Sequence, residues 1–179
     1  ILGDSINDIV NTLIENIKSD KAYLDSILPS LSMMMERIPI FENADRYDEL
    51  FELVVSSMSK QNEKITASLM LARRGSRLKE TKPYDAMSYF SRTLISFYSN
   101  DNKKYLIQAV LDMADIYQKI GLMWAARNYY YYVFCLCLNQ YFKYGSANKA
   151  LVISALALRL MDLNLGNIMY AIVFDELYQ

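Results

Sequence analysis

The fold of this chain is decided by residues 104–138, KYLIQAVLDMADIYQKIGLMWAARNYYYYVFCLCL. The apolar side chains of Val110, Met113 and Tyr117 recur at intervals of three and four residues, which is the spacing of one face of an α-helix. Gly121 interrupts this pattern, because a residue without a Cβ atom readily adopts the backbone angles found at a helix end. A second stretch with helical spacing follows the glycine. The sequence therefore predicts two helices joined by a short turn.

This helix pair resembles the tetratricopeptide repeat, whose first helix carries W-x-x-L-G-x-x-Y and whose second carries A-x-x-x-F. The matching positions are Val110, Met113, Ala114 and Tyr117 in the first helix, and Ala126 and Tyr130 in the second. Small residues at Ala114 and Ala126 allow the two helices to approach closely, and the tyrosine rings fill the remaining space. The pattern departs from the family at Leu138, where proline is usual.

Two weaker copies of the pattern flank this helix pair. Upstream, Ala86 and Phe90 repeat the step from alanine to an aromatic residue in the second helix. Downstream, Gly166 and Ala171 repeat the step from the turn glycine to the alanine. The aromatic position of this last copy is acidic, so the neighbouring Phe174 is expected to fill the space. The copies are more than 34 residues apart, which indicates divergent or lengthened units.

The fold expected from this resemblance is all-α, with antiparallel helix hairpins stacked as a tetratricopeptide-like α-solenoid. An irregular helical bundle is the alternative. The expected hairpins span about residues 61–98, 104–138 and 147–179, within a repeat region of residues 61–179. Residues 1–60 are expected to form a helical segment packed on the repeats. The chain starts with Ile1 instead of Met, which indicates a piece of a longer protein.

A proline is expected to interrupt the helices of the N-terminal segment. Leu24 and Leu28 belong to one apolar stripe, and Leu31 and Met35 continue the helical spacing. Pro29 lies between these pairs, where its ring clashes with the preceding turn and its nitrogen cannot donate a hydrogen bond. The sequence therefore predicts two short helices here.

The resemblance implies a function in binding proteins or peptides, because members of the family use a concave surface formed by the first helices of successive repeats. The expected exposed positions on the first helix of the central repeat are Gln108, Leu111, Asp115, Gln118 and Lys119. Arg73 and Arg77 of the preceding repeat are expected to share the groove. The expected partner is a protein or peptide, or a neighbouring domain of the parent chain, and a homo-oligomer stays open.

Other functions are disfavoured by what the sequence lacks. The chain has no histidine, which removes the commonest general base and metal ligand, and it has no glycine-rich phosphate loop. We therefore expect no enzyme, no cofactor and no metal site. A net charge of −1 disfavours nucleic acid as the partner. No apolar run is long enough to span a membrane, and a cytoplasmic location is expected. The alternative function is the sensor or regulatory arm of a larger signalling protein.

Overall fold

The regular secondary structure of the chain is helical in the part described by a computed structural model, which covers residues 2–61 and 63–178 and omits the side chains of residues 2–4, 21, 177 and 178. Within these residues there are nine α-helices and one 3₁₀ turn at Pro39–Asn43, and no strand. The helices are α1 (Leu2–Ser19), α2 (Lys21–Arg37), α3 (Tyr47–Lys60), α4 (Lys64–Leu78), α5 (Pro83–Ser99), α6 (Lys103–Lys119), α7 (Met123–Tyr144), α8 (Lys149–Asn164) and α9 (Ile168–Tyr178). The predicted all-α class is confirmed.

The chain divides into two compact units, residues 1–70 and residues 71–179. The expected boundary between residues 60 and 61 falls between α3 and α4, whereas the two units divide inside α4. The first unit therefore includes the beginning of α4, and the second includes its end.

In the first unit, α1, α2 and α3 pack around a small apolar core. Val10 and Ile14 of α1, and Leu50 and Val54 of α3, are fully buried. These side chains are spaced four residues apart on their helices, so each helix presents one apolar stripe to the others.

The predicted break at Pro29 is wrong, because α2 continues through this residue. Leu28 and Leu31 are buried on either side of the proline, whereas Pro29 itself is exposed. The carbonyl group that loses its partner belongs to Asp25, four residues earlier, and this residue is exposed, so water can satisfy the group. The apolar stripe thus holds one helix together across a residue that would end an isolated helix.

In the second unit, each helix from α5 to α9 packs against the next one along the chain. α6 runs antiparallel to α7, and α7 runs antiparallel to α8, as residues from opposite ends of these helices show. Lys104, near the start of α6, and Gln140, near the end of α7, line one cavity. Arg127 near the start of α7 contacts Asp162 near the end of α8.

The residues of the repeat pattern lie in the core of this unit or at its turns. Those that are buried are Ala86, Phe90, Val110, Met113, Ala114, Ala126, Tyr130 and Ala171. Tyr117 is half-buried, and its ring centroid lies 5.1 Å from that of Tyr129. Gly121 and Gly166 have φ angles of 82° and 75° in the turns after α6 and α8, in the left-handed region that favours glycine.

Phe174 is buried, as expected for a residue filling the aromatic position of the last copy, and its ring meets Phe134 edge to face at 5.3 Å. The acidic residue beside it, Asp175, pairs with Arg159 at 2.8 Å. None of the helices in the described part of the chain combines the length and hydrophobicity needed to cross a lipid bilayer.

Candidate functional site

A cavity of about 420 Å³ opens between the first turns of α6 and α8. Its lining residues are Lys104, Ile107, Gln108, Leu111, Gln140, Asn148, Lys149, Ala150 and Ile153. The α6 residues among them are spaced three and four apart, so they share one helix face. We call this cavity the α6/α8 groove.

The start of α8 is fixed by Asn148. Its side-chain oxygen accepts a hydrogen bond from the backbone N–H of Leu151 at 2.9 Å, which is the usual role of an asparagine N-cap. Its side-chain nitrogen donates to Oε1 of Gln140 on α7 at 3.2 Å. This pair of contacts holds the first turn of α8, and with it Lys149, at the edge of the groove.

Two cations lie at the α6/α8 groove above an apolar floor. Lys104 is exposed and Lys149 is exposed, and neither pairs with a carboxylate in the described part of the chain. Ile107 is buried in the floor, whereas Ile153 is 50% exposed. The groove therefore offers positive charge and apolar surface together, which suits a segment carrying acidic and apolar side chains.

The groove includes two of the predicted binding residues, Gln108 and Leu111. Gln108 is exposed as expected. Leu111 is only 8% exposed, so the prediction that it is solvent-exposed is wrong. The physical reason is that α6 packs against both α5 and α7. Two neighbouring helices bury more of its surface than one neighbour would.

Two other predicted binding residues, Asp115 and Gln118, are half-buried and contact α7 instead of lining the groove. The Tyr130 hydroxyl donates to Oδ1 of Asp115 at 2.6 Å, and it lies 3.0 Å from Oε1 of Gln118. Burial, followed by the hydrogen bond with Asp115, raises the pKa of Tyr130 well above its usual value. These side chains therefore join α6 to α7.

A polar cluster around Asp112 lies next to these residues. Asp112 is buried, and its carboxylate accepts from Nζ of Lys79 at 2.7 Å, from the Ser76 hydroxyl at 3.3 Å and from Nε2 of Gln108 at 3.4 Å. Burial lowers the pKa of Lys79, but the hydrogen bond and the charge of Asp112 outweigh it, so the net shift is upward. The hydrogen bond with Asp112 thus fixes the side-chain nitrogen of Gln108.

The remaining predicted residues lie elsewhere. Arg73 and Arg77 are exposed on α4 and do not line the α6/α8 groove. Lys119 is exposed and forms an ion pair with Glu80, and this contact, chiefly through its hydrogen bond, lowers the pKa of Glu80. The structure does not bring these three cations together with Gln108 at the groove.

Sequence reasoning missed Lys104, Gln140, Asn148 and Lys149. One signal for Lys104 was present, because it precedes Gln108 by four residues and so lies on the same helix face. Lys149 could not be associated with it from the sequence, since the two lysines come together only when α8 packs beside α6 and α7. The prediction paired α6 with α4 instead.

Acidic residues near the start of α3 contact side chains of α1. Within the described part of the chain, no group of three or more potential ligands is placed to hold a metal ion. Asp45 and Asn7 instead form two hydrogen bonds, one through the Asp45 backbone at 3.0 Å and one through its side chain at 3.1 Å. Glu49 pairs with Arg46 at 2.8 Å and with Lys18 at 2.7 Å.

The chain is matched by no protein-family model, and no curated protein and no solved structure is significantly similar to it.

Proposed function

We propose that this chain is a protein-interaction module that binds a peptide segment of a partner protein in the α6/α8 groove. The observation that carries the proposal is the pair of lysines without a carboxylate partner in the described residues, beside an apolar floor. Acidic side chains of the peptide pair with Lys104 and Lys149, and its apolar side chains cover Ile107 and Ile153. The amides of Gln108 and Gln140 supply hydrogen bonds to the peptide backbone.

Stacked hairpins of the tetratricopeptide type supply the arrangement that this proposal needs. Two observations support it. The starts of α6 and α8 line one cavity and the starts of α7 and α9 line another, as expected when successive hairpins lie side by side in one orientation. In addition, α5, α7 and α9 begin at Pro83, Met123 and Ile168, at the intervals of 40 and 45 residues that separate the repeat alanines.

The proposal is tested by selecting short peptides from a random displayed library on the immobilised chain. We expect the selected peptides to be rich in acidic and apolar residues, because these complement the lysines and the floor. The affinity of a selected peptide is then measured by fluorescence anisotropy against the Lys104→Glu/Lys149→Glu variant. Reversing both charges should weaken binding by roughly tenfold or more. The variant loses two ion pairs, and its new glutamates repel the acidic side chains of the peptide.

Lys103→Glu is the matched control, because Lys103 precedes Lys104 and is exposed but does not line the groove. It should leave the affinity nearly unchanged, and added salt should weaken only binding that depends on the groove lysines. Selection of basic peptides, or equal binding by the double variant and the control, would refute the proposal.

A further inference from the structure

A second cavity, of about 400 Å³, lies at the starts of α7 and α9. Its lining residues are Trp124, Arg127, Tyr131, Asn167, Tyr170 and Phe174, none of which belongs to the α6/α8 groove. We call it the aromatic cavity. Its volume lies in the range that small-molecule sites occupy.

Three large rings around the aromatic cavity are exposed. Trp124 is 57% exposed, Tyr131 49% and Tyr170 60%. Aromatic side chains normally bury most of their surface, so three of them beside one cavity offer flat faces on which another planar group can stack. Phe174, in contrast, is buried.

Arg127 is held in place beside these rings. Its Nε and Nη2 donate to Oδ1 and Oδ2 of Asp162 at 2.6 and 3.1 Å, which is the bidentate geometry that fixes a guanidinium group. Asp162 is fully buried, so little water competes for this contact. The guanidinium carbon lies 5.4 Å from the centroid of the Tyr170 ring, a distance typical of a cation–π contact.

The cavity also presents both a donor and an acceptor. Nη1 of Arg127 makes no hydrogen bond within the described residues, so its N–H groups are available. The side-chain nitrogen of Asn167 donates to Oδ1 of Asp162 at 3.0 Å. Because a carboxylate can only accept, this contact fixes the orientation of the amide and leaves its oxygen as an acceptor.

The charge balance limits which ligand fits. Aromatic rings alone would attract a cationic ligand, but the Arg127 guanidinium already occupies one face of the Tyr170 ring and leaves that face closed to a second cation. The Arg127 charge is offset by Asp162, so it adds little net attraction for a polyanion. The combination therefore favours a neutral planar ring whose edge carries both acceptor and donor groups.

We propose that the aromatic cavity binds a nucleobase, stacked on Trp124 or Tyr170 with its edge toward Arg127 and Asn167. Arginine and asparagine side chains are the groups that recognise base edges elsewhere, and base stacking on aromatic rings is tolerant of sequence. The base belongs either to a free nucleoside or to an unpaired position in a nucleic-acid strand.

The test uses Trp124, which is the only tryptophan of the chain, as an intrinsic reporter. The intact chain is titrated separately with adenosine, guanosine, cytidine and uridine, and tryptophan emission is measured, with free N-acetyltryptophanamide correcting for absorption by the ligand. Ribose 5-phosphate, which has no base, is the ligand control. We expect saturable quenching by at least one nucleoside and none by the sugar phosphate.

Tyr170→Ala should weaken this binding by roughly tenfold, which is the effect of removing one stacking ring. Tyr98→Ala is the matched control, because Tyr98 is an exposed tyrosine of the same unit that does not line the cavity. A short single-stranded RNA distinguishes the sources of the base. Tighter, salt-dependent binding of the RNA indicates a strand, and equal binding indicates a free nucleoside. No saturable quenching, quenching by ribose 5-phosphate, or equal effects of the two tyrosine variants would overturn the proposal.

Discussion

Glu49 in the first unit is a carboxylate whose surroundings favour its charged form. Its hydrogen bond with Arg46 is the main cause, and the one with Lys18 adds to it, so the pKa of Glu49 falls from 4.5 to about 2. The same contact with Glu49 raises the pKa of Arg46. Arg46 also reaches Glu15 on α1 at 3.3 Å, so the charges join α1 to the start of α3.

We predict that Glu49 contributes to stability only while it is ionised. Because its pKa is lower in the folded state, the stabilisation by Glu49 is present above pH 4.5 and is lost as the pH falls toward about 2. Carbon-detected NMR titration of the glutamate side chains should show the lowered pKa, and Lys18→Ala should move it back toward 4.5. The stability of the Glu49→Gln variant should therefore fall less over this pH window than that of the original chain.

The pairs around Glu49 are partly open to solvent, so salt should weaken the effect. A Glu49 pKa that stays near 4.5 in the folded chain at low ionic strength would contradict the assignment of these ion pairs.

Single side chains also show where prediction from the sequence stops. The burial of Met113 and Ala126 follows from spacing and size, which are local properties of the sequence. The burial of Leu111 depends on how much of α6 its neighbours cover, and no local pattern specifies that. Lys104 and Lys149 are 45 residues apart in the chain, and only helix packing places them at one groove.

At the scale of the element, α2 shows tertiary packing overriding local preference. Proline costs about 3 kcal/mol relative to alanine inside a helix, which is why a break was predicted at Pro29. The buried stripe of Leu24, Leu28, Leu31 and Met35 keeps the helix continuous all the same. The helical content of this segment was therefore predictable, but its continuity was not.

We predict that Pro29→Ala stabilises the first unit by about 1–3 kcal/mol, because alanine restores a backbone N–H and removes the clash with the preceding turn. The substitution removes no buried contact, since Pro29 is exposed. Urea unfolding followed by circular dichroism measures the change. Ser30→Ala, at the adjacent exposed position, is the control and should add only the smaller gain in helix propensity. Equal effects of the two substitutions would mean that the proline is not strained.

At the scale of the molecule, each unit is built around its own buried side chains. Val10 and Leu50 are fully buried in the first unit, and Ile116 and Leu158 are fully buried in the second. A local sequence pattern identifies the apolar face of each helix but does not specify which helices share a core. The division inside α4 illustrates this, because α4 is one uninterrupted helix in the structure and still contributes to both units.

We predict that Leu158→Ala destabilises residues 71–179 by about 2–5 kcal/mol, since it leaves a cavity in a fully buried position of α8. Hydrogen exchange followed by mass spectrometry should show faster exchange in α6–α9. The amides of α1–α3 should keep their protection, because Leu158 belongs to residues 71–179, whereas Val10 and Leu50 belong to residues 1–70. Val152→Ala is the control, as Val152 lies on the same helix but is 40% exposed, and it should change exchange little. If exchange in α1–α3 rises in parallel with that in α6–α9, the two units unfold together. That result would contradict the prediction that each unit has its own stability.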